Sequence, residues 1–529
     1  MTTISNPIIP GFAPDPSIVK IDGTFFLVTS SFHLFPGLPI YAATDLASWT
    51  HVGNAINRKS QLSLAKSTVL IHRDREQPLV GAGGLYAPTI RHHEGTTYIV
   101  CTNVIHSEGQ PQNGKPPTFH NFIVSTTDIL AGKWSDPVPF DFNGIDPDLF
   151  FDDDGRVYLL GSSWKIPSGS ISGFEIDLST GENKSEEQIV WHGAIKVIPE
   201  GPHLYKRAGQ YYLLIAEGGT HDDHQISIAR ADKPLGPYES CEVNPILKPT
   251  AGMDTDVMYT GHGDLFQDAQ DRWWLTCLGV RKTKDGRPSI MGRESFLTAA
   301  KWDEGTWPAL EQPIAKTVTL PSLLPPRSIT SEPGVDWVYI RDPDLDSYKI
   351  LPEKQTVSLK PSEAGLDNGG DSPVTFAGKR QRSLDGEARA TLSLHLSDRT
   401  PGLAGLVYYK DEHRHATIAF DSAQAAFVFR AVNAAKSEQL LPRSKTFPVG
   451  EKVNGDADAE FRIAHTEKNL VFSYRLRIAG QGEWTVAGTV DTEALTDHDF
   501  TGPCIGVFAT CAESSKGQGL REFSDVSLV

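Results

Sequence analysis

With 529 residues, the chain is too long for one ordinary hydrophobic core, so at least two domains are expected. Its 66 acidic residues outnumber its 49 basic residues, and the net charge of −17 argues against nucleic acid and anionic membranes as partners. The sequence has no apolar run of bilayer length and no signal-like N-terminus, so we expect a cytoplasmic protein, or a secreted one if the chain starts at a mature end. The five cysteines form no CxxC pair, which argues against a zinc site and a disulfide framework.

One hairpin-like segment occurs five times in the first part of the chain. Each copy has an apolar pair, a polar turn that usually contains glycine, and a run of aromatic or β-branched residues, which is typical of a β-hairpin. A further strand-like segment follows most copies. Five units of four strands predict a five-bladed β-propeller for residues 1–320. The copies begin at Asp15, Ala87, Asp146, Gly201 and His262.

A different all-β pattern follows the repeats. The proline-rich stretch TLPSLLPPRSITSEPG cannot continue a sheet, and it predicts a linker over residues 321–340. From residue 341 to residue 529, short segments alternate between apolar and polar residues, with a turn about every ten residues. This pattern favours a jelly-roll-like β-sandwich, so the whole chain is predicted to be all-β.

Acidic residues occupy matched positions in the repeats. Asp15, Asp146 and His262 open their copies, and Glu200 directly precedes the fourth copy at Gly201. Equivalent positions of successive blades surround the propeller axis, so these side chains should converge on one pocket. A single Asp-Pro is usually only a turn starter, but three acids in matched register favour a site.

Paired carboxylates are what glycoside hydrolysis requires. A protonated carboxyl donates to the leaving oxygen, and an ionised one activates water or attacks carbon. A third acid can raise the pKa of the donor by like-charge repulsion. The alternatives are a non-catalytic sugar-binding propeller and a calcium-binding lectin. Residues 152–155, DDDG, are a candidate calcium loop, although the tip of the third hairpin explains them better.

The propeller half resembles glycoside hydrolase family 43. The motifs APDPSI, GGLYAPTI, GIDPDLF, PEGPHLY, TGHGDLF and MGRESF occur in the family's order. The chain is most similar to the β-xylosidases and α-L-arabinofuranosidases that carry a C-terminal β-sandwich. This resemblance implies an exo-acting, inverting hydrolase that releases terminal arabinofuranose or xylopyranose from arabinoxylan or xylo-oligosaccharides. An endo-acting or retaining propeller glycosidase is the alternative.

The resemblance also implies roles for the three acids. Asp15 matches the general base, Asp146 the acid that orients the donor and tunes its pKa, and Glu200 the general acid. Inversion implies that the carboxyls of base and acid lie ~6.5–9.5 Å apart, with a water molecule between them. The chemistry itself requires no cofactor.

Further residues are expected at the pocket by the same resemblance. Arg293 matches an arginine that hydrogen-bonds sugar hydroxyls, and Phe32 matches an aromatic wall, with a surface ion pair and core packing as the respective alternatives. Thr220 is expected to line the site. His262 matches an axial histidine that lies beside a calcium or a water cluster, so a structural calcium is expected there, with a hydrogen-bonded structural histidine as the alternative.

Two segments bear on sugar preference and on the pocket rim. Many β-xylosidases of the family have Trp-Ala-Pro where this chain has Tyr86-Ala87-Pro88, and the preceding KSTVLIHRDREQPLVGAGG is longer than in simple β-xylosidases. Tyr86 should therefore affect the choice between xylose and arabinose, which the sequence does not rank. A sandwich loop near Cys504 to Glu513 is expected at the rim, with scaffolding as its alternative. The sequence does not indicate an oligomeric state.

Overall fold

Five four-stranded antiparallel sheets form the N-terminal part of the protein. The computed structural model describes residues 2–73, 77–107, 115–165, 169–320, 328–394, 400–449, 457–512 and 519–528. The first strand of each sheet contacts the first strand of the next, and that of the fifth contacts that of the first, so the sheets close into a ring. Strand Thr2–Ser5 pairs with Thr317–Leu320 and joins the two ends of the ring.

The strands of each blade follow one another in sequence. Blade 1 contains Ser17–Ile21, Thr24–Val28, Gly37–Ala43 and Thr50–Ile56. Blade 2 contains Thr89–His93, Thr96–Ile105, Thr118–Thr126 and Val138–Phe140, with Gly84–Leu85 added to its second strand. Blade 3 contains Gly144–Phe151, Val157–Ser163, Ser170–Glu175 and Gln188–Trp191. Blade 4 contains Glu200–Arg207, Gln210–Glu217, Gln225–Ala231 and Glu239–Ser240. Blade 5 contains Val257–Gln267, Trp273–Arg281, Glu294–Lys301 and Ala309–Leu310.

The repeated hairpins owe their tight turns to residues with positive φ. Asp22–Gly23, Glu94–Gly95 and Ala208–Gly209 join the first two strands of blades 1, 2 and 4, and both residues of each pair have positive φ. This backbone matches the twist of the flanking strands in a two-residue hairpin. The DDDG segment is likewise the turn between the first two strands of blade 3. Asp152 there accepts hydrogen bonds from Lys206 and Tyr211.

Two larger sheets form the C-terminal part, and an apolar core lies between them. The eight-stranded sheet has the order Lys445–Pro448, Ala426–Asn433, Arg414–Asp421, Leu403–Asp411, Cys504–Ala509, Phe376–Arg380, Trp337–Ile340 and Leu34–Phe35. The seven-stranded sheet has the order Tyr348–Leu351, Thr356–Leu359, Arg521–Ser527, Gly386–Ser393, Ala457–His465, Asn469–Ile478 and Thr485–Asp491.

The prediction of an all-β propeller followed by a β-sandwich is confirmed. Strand Trp337–Ile340 lies inside the segment expected to be a linker, so the sandwich sheet begins before residue 341, and residues 321–327 lie outside the described residues. The described helices are 3₁₀ turns: Leu345–Ser347, Pro352–Lys354, Glu438–Leu440 and Thr492–Leu495. Within the described ranges, none is long and apolar enough to cross a membrane. All five cysteines are buried, and no disulfide joins them in the described residues.

The two domains share sheets and a core. Strand Leu34–Phe35 leaves blade 1 and pairs with Trp337–Ile340 of the sandwich. The segment before Tyr86 forms the hairpin Val69–His72 and Leu79–Ala82, whose second strand pairs in parallel with His498–Asp499 of the sandwich. These pairings fix how the sandwich meets the face of the propeller that carries the acids.

Candidate active site

The acids predicted from the repeats meet at the propeller axis. His262 Nδ1 lies 3.9 Å from Asp15 Oδ1 and 4.0 Å from Asp146 Oδ2. The backbone N–H of Gly201, directly after Glu200, donates to Asp146 Oδ2 over 3.1 Å. Asp15, Asp146 and His262 are buried, whereas the side chain of Glu200 keeps 16% of its surface exposed. Positions separated by up to 247 residues (262 − 15) therefore form one cluster.

The mouths of the inner strands in blades 1, 3, 4 and 5 have an irregular backbone. Asp15, Asp146, Gly201 and His262 all have positive φ, between 43° and 55°. Strand pairing shifts register at the same places in blades 3, 4 and 5. An extra residue at a β-bulge bends a strand and redirects its side chains. The bulges therefore explain how the first side chain of an inner strand can point toward the axis.

Asp15 lies among hydrogen-bond donors. Ser30 Oγ donates to its Oδ2 over 2.5 Å, and Arg293 Nη1 lies 3.3 Å from its Oδ1. Asp15 thus accepts a hydrogen bond from a hydroxyl and faces a positively charged guanidinium. Arg293 Nη1 also donates to Thr220 Oγ1 over 3.0 Å, which places Thr220 beside this cluster.

The surroundings of Glu200 and Asp146 favour the protonated form of each carboxyl. Burial, followed by the negative charge of Asp15, raises the pKa of Glu200 to about 7. Burial, followed by the charges of Glu200 and Asp15, raises the pKa of Asp146 well above its usual range. Two carboxyls so close to a third cannot both ionise without strong repulsion. The cluster can therefore retain a proton at neutral pH.

An aromatic wall surrounds the arginine. The Phe32 ring packs edge-to-face on Tyr86 with centroids 5.2 Å apart, and it stacks on Phe500 at 5.8 Å. The Arg293 guanidinium lies 5.5 Å from the Phe32 centroid and 4.9 Å from that of Phe500. Tyr86 donates its hydroxyl proton to the carbonyl of Ala82, which ties it to the long hairpin.

The sandwich contribution to the rim comes from a different segment than expected. Phe500 belongs to the sandwich, and its carbonyl accepts a hydrogen bond of 3.2 Å from Arg293 Nε. The expectation of a loop near Cys504 to Glu513 is wrong, because Cys504–Ala509 is a buried central strand and pairs on both sides. Glu513 lies outside the described residues.

His224 also lies at the site, although no sequence motif pointed to it. This buried residue lies with Nε2 4.0 Å from Glu200 Oε1, while its Nδ1 is 3.0 Å from the carbonyl oxygen of Tyr259. Burial lowers the pKa of His224 to about 3, so the ring is neutral. The carbonyl requires the proton on Nδ1, which leaves Nε2 as an acceptor facing Glu200.

The side chains around His262 bear on the calcium expected there. In the ranges given above, no three His, Cys, Asp or Glu residues are grouped as ligands for an ion. Burial lowers the pKa of His262 to about 4, and its neutral ring lies between Asp15 and Asp146. We therefore assign no step to a metal, and the calcium expected near His262 stays a prediction.

Comparison with known proteins agrees with this geometry. Residues 4–308 match the model for glycosyl hydrolases family 43, and residues 330–523 match the β-xylosidase C-terminal concanavalin A-like domain. The chain belongs to glycosyl hydrolase family 43. It is therefore a glycoside hydrolase of an inverting family, as the motifs indicated.

Relatives in the family resemble this chain over nearly its full length. A non-reducing end α-L-arabinofuranosidase of Bacteroides ovatus is 31% identical, covering 96% of this chain and 91% of its own. A xylosidase/arabinosidase of Butyrivibrio fibrisolvens is 31% identical over 100% of this chain and 99% of its own. The solved structure of a xylan β-1,4-xylosidase from Bacillus halodurans has a TM-score of 0.82 and 26% identity, covering 98% of each chain.

Proposed function

We propose that this family 43 enzyme removes single terminal pentoses, α-L-arabinofuranose or β-D-xylopyranose, from arabinoxylan or xylo-oligosaccharides. The observation that carries the proposal is the contrast between two carboxyls of one cluster. Asp15 accepts a hydrogen bond from Ser30 and faces the guanidinium of Arg293, whereas burial and the charge of Asp15 raise the pKa of Glu200 to about 7. An inverting hydrolase needs one ionised and one protonated carboxyl.

In the proposed reaction, Glu200 gives its proton to the glycosidic oxygen as the bond to the anomeric carbon breaks. Asp15 takes a proton from a water molecule, and the water oxygen forms the new bond on the opposite face of the sugar. Asp146 accepts the N–H of Gly201 and so fixes the backbone directly after Glu200. Asp146 is thus proposed to orient the acid, and Arg293 with Thr220 to bind sugar hydroxyls.

The walls of the site favour a single terminal sugar. Phe32 and Phe500 lie beside Arg293, Tyr86 packs on both rings, and its hydroxyl donates to the carbonyl of Ala82 in the strand Leu79–Ala82. Aromatic rings from two domains beside the proposed sugar-binding arginine suit removal of a chain end. The named activities of the relatives support pentoses, and they include both arabinose and xylose.

Side-by-side hydrolysis of 4-nitrophenyl β-D-xylopyranoside, 4-nitrophenyl α-L-arabinofuranoside and short arabinoxylan oligosaccharides tests the proposal. Release of a single pentose supports it, and the substrate that reacts identifies the sugar. If the protein releases pentose from none of the three substrates, the proposal is contradicted.

A variant separates catalysis from simple sugar binding. Glu200→Gln keeps the shape of the side chain but has no proton to donate, so kcat should fall about 10²–10⁴-fold on the oligosaccharides. Binding of oligosaccharide, measured by calorimetry, should persist in this variant. Full activity of Glu200→Gln would remove Glu200 from the role of acid, and retention of configuration, followed by NMR, would contradict the role of Asp15.

A further inference from the structure

One turn of the sandwich consists of charged and titratable residues, yet it is buried. The residues Lys410 to Arg414, KDEHR, join the strands Leu403–Asp411 and Arg414–Asp421. Lys410, Asp411, Glu412 and Arg414 are each 3% exposed or less. Charges in such surroundings need close partners, because an unpaired buried charge is strongly destabilising.

The two cations of the turn hold one short segment, residues 497–501. Lys410 Nζ donates to Asp499 Oδ2 over 2.6 Å, and Arg414 Nη1 binds the same oxygen. Arg414 also lies 3.4 Å from Asp497 Oδ2 and 3.3 Å from Thr501 Oγ1. The segment is therefore fixed at alternate residues on both sides of Phe500.

The same turn also holds the long hairpin of the propeller. Glu412 Oε1 accepts the backbone N–H of Val69 over 2.7 Å, and His413 Nε2 lies 2.9 Å from the Val69 carbonyl oxygen. The other strand of that hairpin pairs through Leu79 and Val80 with His498 and Asp499. The long hairpin, which precedes Tyr86, and residues 497–501, which contain Phe500, are thus both attached to one turn.

Phe500 connects this turn to the sugar-binding arginine. Its carbonyl accepts a hydrogen bond from Arg293 Nε, and its ring lies beside the same guanidinium. Arg293 in turn contacts Asp15 and Thr220. A displacement of residues 497–501 would therefore move two groups that the proposed function assigns to the pocket.

We propose that Lys410 and Arg414 are positioning residues of the active site: by holding Asp499, they set the place of Phe500 and Arg293 and thereby the affinity for the sugar. The inference rests on the proposed function for the role of Arg293. A purely structural role of the cluster would lower the stability of the protein without changing the pocket.

The variants Asp499→Asn and Lys410→Met test this inference in the full-length protein. Asp499→Asn keeps the size of the side chain and removes its charge. Lys410→Met leaves Asp499 paired with Arg414, so it serves if the first variant fails to fold. In both, KM for the aryl pentoside should rise about tenfold, while kcat changes less than about threefold, because substrate and transition state lose the same binding contacts.

The matched control is Glu460→Gln. Glu460 is 6% exposed, pairs with Arg475 and Arg477, and lies in the strand Ala457–His465 of the other sheet. This variant loses an ion pair of the sandwich away from residues 497–501, so its KM should equal that of the wild type. Phe500→Ala shows how much KM rises when the ring itself is lost.

Hydrogen exchange gives a readout that does not depend on turnover. Backbone amides of residues 498–502 should exchange faster in Asp499→Asn and Lys410→Met, but not in Glu460→Gln. Unchanged KM together with unchanged exchange in both variants would overturn the inference. If the wild type hydrolyses neither aryl pentoside, the proposed function fails, and exchange alone then decides whether the cluster fixes this segment.

Discussion

Asp15 and Glu200 carry the same functional group in opposite surroundings. Asp15 accepts a hydrogen bond from Ser30 and faces the guanidinium of Arg293. Glu200 is mostly buried and lies near the charge of Asp15, and the neutral ring of His224 is 4.0 Å from its carboxyl. When the surroundings raise the pKa of one carboxyl of a pair, the site can hold an acid and a base at the same pH.

The pH dependence of kcat/KM should reflect this difference. Glu200 must hold its proton to act as an acid, and its pKa is raised to about 7. Activity on oligosaccharides should therefore fall as the pH rises through about 7. A pH–rate profile of kcat/KM measures this alkaline limb, which belongs to the cluster of carboxyls as a whole.

A substrate with a better leaving group provides the control for that profile. A 2,4-dinitrophenyl pentoside needs little protonation of its leaving oxygen, so its alkaline limb should move to higher pH or disappear. An alkaline limb that is identical for both substrates would show that Glu200 is not the group that titrates there.

At the scale of elements, the mouths of the inner strands in blades 3, 4 and 5 combine a bulge with positive φ, and Gly201 shows why. Its φ is 55°, and a Cβ at this position would lie 2.8–2.9 Å from three atoms of the His262 ring. Ring atoms at this distance must move. Glycine therefore allows Glu200 and His262 to occupy neighbouring places at the axis.

Gly201→Ala should consequently damage the site as well as the fold. The side chain strains the backbone by about 1–2 kcal/mol and displaces His262, so kcat/KM should fall at least about tenfold. Gly209→Ala is the matched control, since Gly209 lies at the other end of the same strand hairpin, has φ of 79°, and has open space around its Cβ position. It should lose similar stability in urea but keep its activity. Equal activities of the two variants would contradict this account.

Most of the propeller could be predicted because its signals are local. Each hairpin carries its own turn and its own alternation, and the repeat places Asp15, Asp146 and His262 in register. His224 and Phe500 could not be predicted in this way, since they reach the site from a loop and from another domain. The KDEHR turn misleads a reader of the sequence, because five polar residues in a row ordinarily mark a solvent-exposed tip.

At the scale of the whole molecule, the two domains share one hydrophobic cluster. It contains Phe12, Phe32 and Leu34 of the propeller together with Val338 and Phe376 of the sandwich. The shared strand Leu34–Phe35 and the sheet of three strands that includes His498–Asp499 add backbone pairing across the boundary. Separating the domains would expose this cluster to water and break both pairings. Each domain alone would then present an apolar surface that is buried in the complete protein.

Unfolding should therefore occur as one cooperative transition. Phe32 and Leu34 lie next to the site, and unfolding of the sandwich would remove their packing partners. The free energies of unfolding of the two domains are therefore coupled through the apolar area that they bury together. Calorimetry should show a single peak that coincides with the loss of activity. Tryptophan fluorescence reports mainly on the propeller, which holds eight of the ten tryptophans, and hydrogen exchange of strand Leu403–Asp411 reports on the sandwich. Both should follow the same midpoint in denaturant, whereas two separate midpoints would show that the shared cluster does not couple the domains.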